Sequence, residues 1–417
     1  MNNLHNKKIL LAVSGGIACY KSIYLARLLI KQGANVQIIM TPNATKFVTP
    51  LTFQAITSNH VWVEEWDNTA PNNMAHINLT RNIDLIVLAP ATANTLAKIN
   101  AGIADNLLCS LILARIKTVP VLVAPAMNVE MWTSPATVRN IAQLKQDGYI
   151  IIEPNSGEQA CGEVGLGRLA EPEQIVDEVS YHLSAKPLKN KNVVITAGAT
   201  QEYIDPVRYI SNASSGKMGL ALARQAYYMG ANVTLILGNF DKSQENLNFI
   251  HKINCIKVTS ANQMYDAVMH IYNHENYKQQ VTHSKNNIFI GVAAVADWTP
   301  EIISEHKQKK QHNTNSNSIN LIKTQDILAS VASLEYRPFC IGFAAETQNL
   351  IEYAQNKLKN KNLDMIVANL ISDGFAKDTN KVYIISKNVN SYKQIQELEE
   401  LEEMDKNKLA FKILSKI

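Results

Sequence analysis

Ile204-Asp205-Pro206-Val207-Arg208-Tyr209-Ile210-Ser211-Asn212-Ala213-Ser214-Ser215-Gly216-Lys217-Met218-Gly219 lies between an apolar run, Val193-Val194-Ile195-Thr196-Ala197-Gly198, and a helical pattern ending at Gly230. Near-continuous apolar runs mark parallel strands covered on both faces, so the segment reads as strand, loop, helix. That is the repeating unit of a doubly wound α/β fold. The loop, with Arg, Asn, paired serines, Gly and Lys, would make a poor core and a good anion site. Small residues let backbone N–H groups approach a phosphate, and the helix N-terminus adds partial positive charge. Any one of these residues also fits a plain connection with a Ser N-cap. Sixteen of them together are too many and too particular for a cap.

Working outward, the same plan recurs. Apolar runs at 192–197, 232–237, 287–292, 339–343, 364–368 and 381–386 predict the strands of the second half, and 8–13, 35–40, 84–89, 119–124 and 149–152 those of the first. Helical patterns fall between them, for example at 18–32, 94–114 and 135–147. Gly-Ala-Asn-Val occurs at Gly33 and again at Gly230, each time between a first helix and a second strand. Glycine after a helix C-terminus explains both. The expected architecture is two doubly wound, Rossmann-like α/β domains, 1–187 and 188–417, joined near the charged, proline-containing Ser184-Ala185-Lys186-Pro187-Leu188-Lys189-Asn190-Lys191. The segment 305–320, rich in Lys, Gln, Asn and Ser, reads as a surface loop or as a basic flap over a phosphate site. The stretch 394–417 reads as helix.

Composition bounds the function. A chain of 417 residues with 46% hydrophobic content supplies two full cores. The net charge of +4 gives no reason to expect a nucleic-acid partner but suits small anionic substrates. Five scattered cysteines without a Cys-x-x-Cys spacing suit a reducing cytoplasm and give no zinc framework. No run approaches the roughly 20 apolar residues that span a bilayer, and the short N-terminal apolar run continues as strand and turn rather than as a signal peptide.

In the first half, Ser14-Gly15-Gly16-Ile17-Ala18 joins the first strand to the first helix, where this fold binds a phosphate. It lacks the Gly-x-Gly-x-x-Gly dinucleotide fingerprint, so a single phosphate fits better. Ala91-Thr92-Ala93-Asn94-Thr95 puts small polar residues at another helix start. Gly157-Glu158-Gln159-Ala160-Cys161-Gly162-Glu163-Val164-Gly165-Leu166-Gly167-Arg168 carries four glycines around one cysteine, the pattern of a mobile lid rather than a packed element. Pro125-Ala126-Met127-Asn128-Val129-Glu130-Met131-Trp132 follows a further strand.

These pieces resemble the flavin-dependent cysteine decarboxylases, whose marks are Pro-x-Met-Asn-x-x-Met-Trp, a His before the third strand and a Cys-bearing flap. The resemblance implies phosphopantothenoylcysteine decarboxylase, with a flavodoxin-like fold and FMN held by Ser14, Gly15, Gly16, Thr41, Ala91, Thr92 and Asn94. It makes His76 a catalytic residue, Asn128 the holder of the substrate carboxylate with Met131 nearby, and Cys161 the proton donor. The residue types suit that chemistry. A cysteine-derived carboxylate lacks an electron sink, which reversible oxidation by flavin supplies, and a thiol delivers a proton near neutral pH.

The second half resembles the CTP-dependent phosphopantothenate–cysteine ligase, which in bacteria is usually fused behind that decarboxylase. Besides the opening loop, the resemblance rests on Gly291-Val292-Ala293-Ala294-Val295-Ala296-Asp297-Trp298, on Lys307, Lys309 and Lys310, on Gly342-Phe343-Ala344-Ala345-Glu346-Thr347, and on Lys357 and Lys361, which fall on one helix face. It implies that Asp297, Phe343, Lys357 and Lys361 contact CTP, with Lys323–Ile327, Asp326 and Ile327 among them, close to the nucleotide. Lys307 would serve formation of an acyl-cytidylate, and Arg208, Asn212 and Ala294 its binding and use. Two departures stand out: the flap is stretched at 311–318, and Thr324-Gln325-Asp326 replaces the family's common Asn-Pro before the acid. Mg2+ is expected with the triphosphate, its protein ligands unassigned. The resemblance further implies a homo-oligomer built from flavoprotein trimers and ligase dimers. A flavin-binding regulator without turnover and a plain FMN or NAD(P) reductase are the alternatives.

Overall fold

The protein is described by a computed structural model covering residues 4–66, 74–241, 247–273, 286–308, 318–374, 377–387 and 396–417. It divides into two compact units, Met1–Ser184 and Ala185–Ile417.

In the first unit the strands β1 (Lys8–Val13), β2 (Asn35–Met40), β3 (Val61–Trp62), β4 (Leu85–Ala91), β5 (Val121–Pro125) and β6 (Ile150–Ile151) form one parallel sheet in the order β3-β2-β1-β4-β5-β6. Without the two-residue edge strand β3 this is the flavodoxin-like order, and with it the Rossmann order; both reverse direction between β1 and β4. Alternate residues of β1 feed two cores. Ile9, Leu11 and Val13 pack with Leu25 and Leu29 of helix Cys19–Lys31 on one face. Leu10 and Ala12 pack with Leu107, Leu108 and Leu111 of helix Leu107–Ala114 on the other. This two-sided burial is why the strands read as unbroken apolar runs. Two further strands, β7 (Asn155–Glu158) and β8 (Val164–Arg168), pair as an antiparallel hairpin.

The second unit carries an eight-stranded sheet. Its strands β9 (Asn192–Ala197), β12 (Asn232–Leu237), β13 (Asn254–Lys257), β14 (Asn287–Gly291), β17 (Phe339–Glu346), β18 (Met365–Leu370), β19 (Thr379–Lys387) and β20 (Gln396–Asp405) run in the order β13-β12-β9-β14-β17-β18-β19-β20. The first six are parallel and the last two are added antiparallel. Small hairpins, β10 (Gln201–Tyr203) with β11 (Tyr209–Ser211) and β15 (Trp298–Pro300) with β16 (Leu321–Lys323), rise beside the sheet's C-terminal edge.

The structure revises three readings. The pattern at 94–114 is two helices, Ala93–Ala101 and Leu107–Ala114, because Gly102 turns left-handed (φ 69°) and Asn106 caps the second helix, its Oδ1 accepting from Cys109 N at 3.1 Å. Within the stretch 394–417 the described residues form strand β20 over Gln396–Asp405 and become helical only at Lys406–Leu414. Pairing with β19 overrides the helix preference of its Glu and Leu residues, and Leu401 is buried by it. The cysteine-bearing flap is a hairpin rather than an unpacked lid. Lys309, Lys310 and residues 311–317 lie outside the described residues.

The second unit begins before its first strand. Leu188 is buried in its core, Leu188 N donates to Met229 O at 3.0 Å, and Lys186 Nζ donates to Tyr228 O at 2.7 Å. Fragments 1–184 and 185–417 are therefore expected to unfold cooperatively on their own. Starting the second fragment at 189 instead should cost about 2–4 kcal/mol, the usual loss of a buried leucine, measured by urea denaturation followed by circular dichroism.

Candidate active sites

In the first unit the loops following β1 and β4 enclose a cavity of about 1290 Å³. Gly15, Gly16, Thr41, Thr92, Asn94, Asn128, Met131 and Cys161 line it. Ser14 does not. It is fully buried, and its Oγ donates to Pro90 O at 2.7 Å and accepts from Thr92 N at 3.0 Å, tying the two loops together from beneath. Ala91 is likewise buried and off the cavity surface. Helix Cys19–Lys31 starts behind Gly15–Ala18 without a side-chain cap; Cys19 N and Lys21 N donate instead to Gly16 O and Ala18 O, each at 3.0 Å. A side chain at Gly15 would meet Asn43 Cβ at 2.6 Å, so the turn presses directly on the loop that carries Thr41. An uncapped helix end beside a roomy cavity fits a phosphorylated cofactor.

The flap closes one side. Gly165 approaches Val129 so closely that an added Cβ would lie 2.6 Å from its Cγ2, and Gly167 would strike the Met127 carbonyl. Met127 N donates to Gly167 O at 2.9 Å, and Gln159 Oε1 accepts from Val129 N at 3.0 Å. The flap glycines thus serve close packing on the Met-Asn segment. Asn128 caps helix Val129–Thr133, its Oδ1 accepting from Glu130 N at 2.8 Å. That contact turns its Nδ2 toward the flap, where it donates to Glu163 Oε2 and lies 3.4 Å from Cys161 Sγ. Cys161 sits exposed in the hairpin turn. His76 does not line the cavity. Its buried Nδ1 lies 3.4 Å from Glu65 Oε1 but makes no hydrogen bond. Arg168, at the end of the flap segment, also lines the cavity, as does the Lys98–Asp105 pair, at 2.5 Å, which carried no motif.

In the second unit a cavity of about 490 Å³ opens at the C-terminal ends of β9, β14 and β17. Asn212, Ala294, Asp297, Asp326, Ile327, Phe343, Lys357 and Lys361 all line it. Helix Lys217–Tyr228 begins at Gly216 (φ 74°) with no side-chain cap, so the N–H groups of the first turn are left to the cavity. Lys357 Nζ donates to Phe343 O at 2.8 Å; burial, and then repulsion by Lys361, push its pKa down. Lys361 pairs with Asp326 Oδ2 at 2.8 Å, while Asp326 Oδ1 caps helix Ile327–Ala332 through Ala329 N at 3.0 Å. Burial opposes the ionisation of Asp326, yet Lys361 and that N–H outweigh it and lower its pKa. Asn212 Nδ2 donates to Val295 O at 3.0 Å.

Arg208 and Lys307 stand apart from this cavity. Arg208 is spent on the buried Asp205, through Nε at 2.9 Å and through its terminal nitrogen at 2.5 Å, and on Gln308 O at 2.9 Å. Gln308 N also donates to Asp205 Oδ2 at 3.2 Å. The guanidinium and the backbone donors hold the Asp205 carboxyl far below the usual range. Together they anchor the start of the flap, leaving Lys307 exposed next to the anchor. Lys217 of the opening loop and Lys323 also line the cavity, and so does Lys406, which no motif had singled out. Lys406 and the neighbouring Asn380 arrive on β19 and the last helix, and nothing local announces them.

A family model described as Flavoprotein matches residues 1–184, and one described as DNA/pantothenate metabolism flavoprotein C-terminal domain matches 188–417. Curated relatives match both halves. The coenzyme A biosynthesis bifunctional protein CoaBC of Vibrio vulnificus (strain YJ016) is 46% identical over 386 residues, 92% of this chain and 92% of its own. Its namesake in Bacillus subtilis (strain 168) is 44% identical over 422 residues, 99% and 97% of the two chains. That of Escherichia coli (strain K12) is 44% identical over 388 residues, 92% and 91%. Two solved structures align with one half each. A cysteine-to-serine mutant of PPC decarboxylase complexed with pantothenoylaminoethenethiol is 35% identical and covers 42% of this chain and 97% of its own, with a TM-score of 0.38. The C-terminal domain of a CoaBC protein is 34% identical and covers 56% and 96%, with a TM-score of 0.43. With such identity along nearly its whole length, the chain belongs to the family of coenzyme A biosynthesis bifunctional proteins, in which a flavoprotein decarboxylase is fused to a ligase.

Proposed function

We propose that the second half joins 4'-phosphopantothenate to cysteine at the expense of CTP, and that the first half, carrying FMN, decarboxylates the resulting phosphopantothenoylcysteine to 4'-phosphopantetheine. The observation that carries the ligase reading is the smaller cavity, whose described lining holds five lysines (Lys217, Lys323, Lys357, Lys361 and Lys406), an uncapped helix end and two acids, Asp297 and Asp326, with Lys217 paired to Asp378 at 2.5 Å from outside the lining. Such a surface calls for a polyanion. Lys357, half-buried and with its pKa pushed down by burial, gains from a phosphate partner. Asp297, exposed at the cavity, is the acceptor type that suits the exocyclic amine of cytosine. Unpaired cysteines and the lack, among the described residues, of any helix long and apolar enough to cross a membrane fit a cytoplasmic enzyme of small molecules.

In the ligase reaction the phosphopantothenate carboxylate attacks the α-phosphorus of CTP, the P–O bond to the β-phosphate breaks, and pyrophosphate leaves. Lys307, reaching in from the anchored flap, neutralises the departing charge. The amine of cysteine then attacks the acyl carbon and CMP departs, with Asn212 and Ala294 holding the acyl-cytidylate and Arg208 fixing the flap. Mg2+ would arrive with the triphosphate. Among the described residues, no three His, Cys, Asp or Glu side chains gather to form a cage for it.

In the decarboxylase half the backbone N–H groups of Gly15–Ala18 would take the FMN phosphate, with Thr41, Thr92 and Asn94 around it. Bound flavin supplies reversible two-electron chemistry at the substrate thiol. Asn128 Nδ2 orients the substrate carboxylate beside Met131, and Cys161 delivers a proton to carbon after CO2 is lost. His76, outside the cavity of its own chain, would come from a second copy in an assembly of flavoprotein trimers and ligase dimers.

Three outcomes are expected. Cys161→Ser should keep its flavin and release CO2, but yield of 4'-phosphopantetheine should fall by about 10²- to 10⁴-fold, since an alcohol is a far poorer acid than a thiol; normal yield would remove Cys161 from the mechanism. Mixing His76→Asn with Cys161→Ser under conditions that exchange subunits should restore part of the decarboxylase activity, because hybrid sites receive one intact copy of each; no recovery would place both residues in one chain's site. In the ligase half, Lys307→Gln should abolish acyl-cytidylate formation. Asn212→Asp should let it form and accumulate, since the added charge repels its phosphate and hinders the second step. Mass spectrometry after a quench, with and without cysteine, distinguishes the two; identical intermediate levels would refute the division of labour.

A further inference from the structure

The flap carries a carboxylate that the reaction as written does not use. Glu163 lies in the exposed turn two residues beyond Cys161, and its Oε2 accepts from Asn128 Nδ2. The same oxygen is 3.6 Å from Cys161 Sγ. Because Asn128 Oδ1 is committed to Glu130 N at 2.8 Å, the orientation of its amide is fixed and Nδ2 is the only end offered to a ligand. That nitrogen has two hydrogens. One goes to Glu163, and Cys161 Sγ, at 3.4 Å, occupies the direction of the other.

We propose that Glu163 is a positioning residue whose carboxylate occupies Asn128 whenever the substrate carboxylate does not, so that the two exchange during each turnover. This rests on the reading that Asn128 holds the substrate carboxylate. Two carboxylates on one amide nitrogen would lie within a few ångströms of each other and repel, so arrival of substrate displaces Glu163. Cys161 shares the turn with Glu163 and is displaced with it. Loss of the carboxylate as CO2 frees Asn128, Glu163 returns, and the thiol comes back beside the substrate carbon. The thiol is thereby presented after CO2 has gone rather than before. Gln159, fastened to Val129 N and Leu166 O, provides a fixed base on which the turn moves.

The test uses the full-length flavin-loaded enzyme and the variants Glu163→Ala, Glu163→Gln, Asn128→Ala and the Asn128→Ala/Glu163→Ala double variant, each checked for its flavin spectrum. Glu163 is exposed, so its replacement leaves the core intact. For Glu163→Ala, KM for phosphopantothenoylcysteine should fall about 3- to 10-fold, while the inhibition constant of 4'-phosphopantetheine, which has no carboxylate, should change less than 2-fold. CO2 release should outrun formation of reduced product, and Glu163→Gln, which still accepts from Asn128, should recouple the two. In the Asn128→Ala background the effect of Glu163→Ala on KM should disappear. An unchanged KM, an equal change for substrate and product, or an effect that persists without Asn128 would overturn the proposal. If Asn128→Ala alone leaves substrate affinity untouched, the underlying assignment of Asn128 fails, and the proposal falls with it.

Discussion

Parallel strand pairing is the constraint on which both sites depend. In a parallel sheet every strand ends at the same edge, so every strand-to-helix loop and every helix N-terminus gathers there. Where neighbouring strands send their connections to opposite faces, as β1 and β4 do, and β9 and β14 do in the second unit, the loops part and leave a crevice. The two cavities lie at these places. Much of their lining comes from these loops, and strand ends and helix faces supply the rest, as Phe343, Lys357 and Lys361 do in the second. The two-faced burial of Leu10 and Leu11, or of Val193 and Val194, fixes the loop ends without any help from a ligand.

Each cavity receives an uncapped helix, and this choice is local. Ala18 and Gly216 stand where Ser, Thr, Asp or Asn would ordinarily satisfy the first N–H groups. Some other helices of the same units are capped by side chains, Thr92, Asn106 and Asn128 in the first and Asp326 and Asp405 in the second, while Pro50–Thr57, Pro135–Gln146 and Leu350–Asn360 are uncapped as well. Forgoing a cap costs about 1 kcal/mol at a residue such as Ala18 and less at a glycine such as Gly216, where it leaves donors for an anion.

The sequence made the buried strands legible because burial on both faces leaves an unbroken apolar signature. It hid the edges. The two-residue strand β3, the hairpins and the acidic strand β20 owe their form to partners far along the chain, and such pairing leaves little local trace. The loops of the sites were equally legible, but the side on which each residue lies was not. Ser14 belongs to the right turn yet braces it from below. Arg208 belongs to the right loop yet serves the flap anchor through Asp205 and Gln308. The glycines of the flap read as freedom, whereas Gly165 and Gly167 are small because Val129 and Met127 leave no room. Lys406 and Asn380 reach the second cavity only through tertiary packing, for which periodicity offers no clue.

Strand β20 has a consequence of a different kind. It forms the outer margin of the second sheet, so its free backbone groups face outward as a template for another strand. Five glutamates, at 397, 399, 400, 402 and 403, line that strand. Some are tied inward, Glu400 to Lys381 and Glu399 to Lys416, but the margin as a whole presents like charges to any second copy that approaches edge-on. The protein's colloidal behaviour is therefore written into this strand. Replacing these glutamates by neutral residues would remove the guard, and edge-to-edge association of otherwise folded molecules is the hazard that the acidic strand holds off.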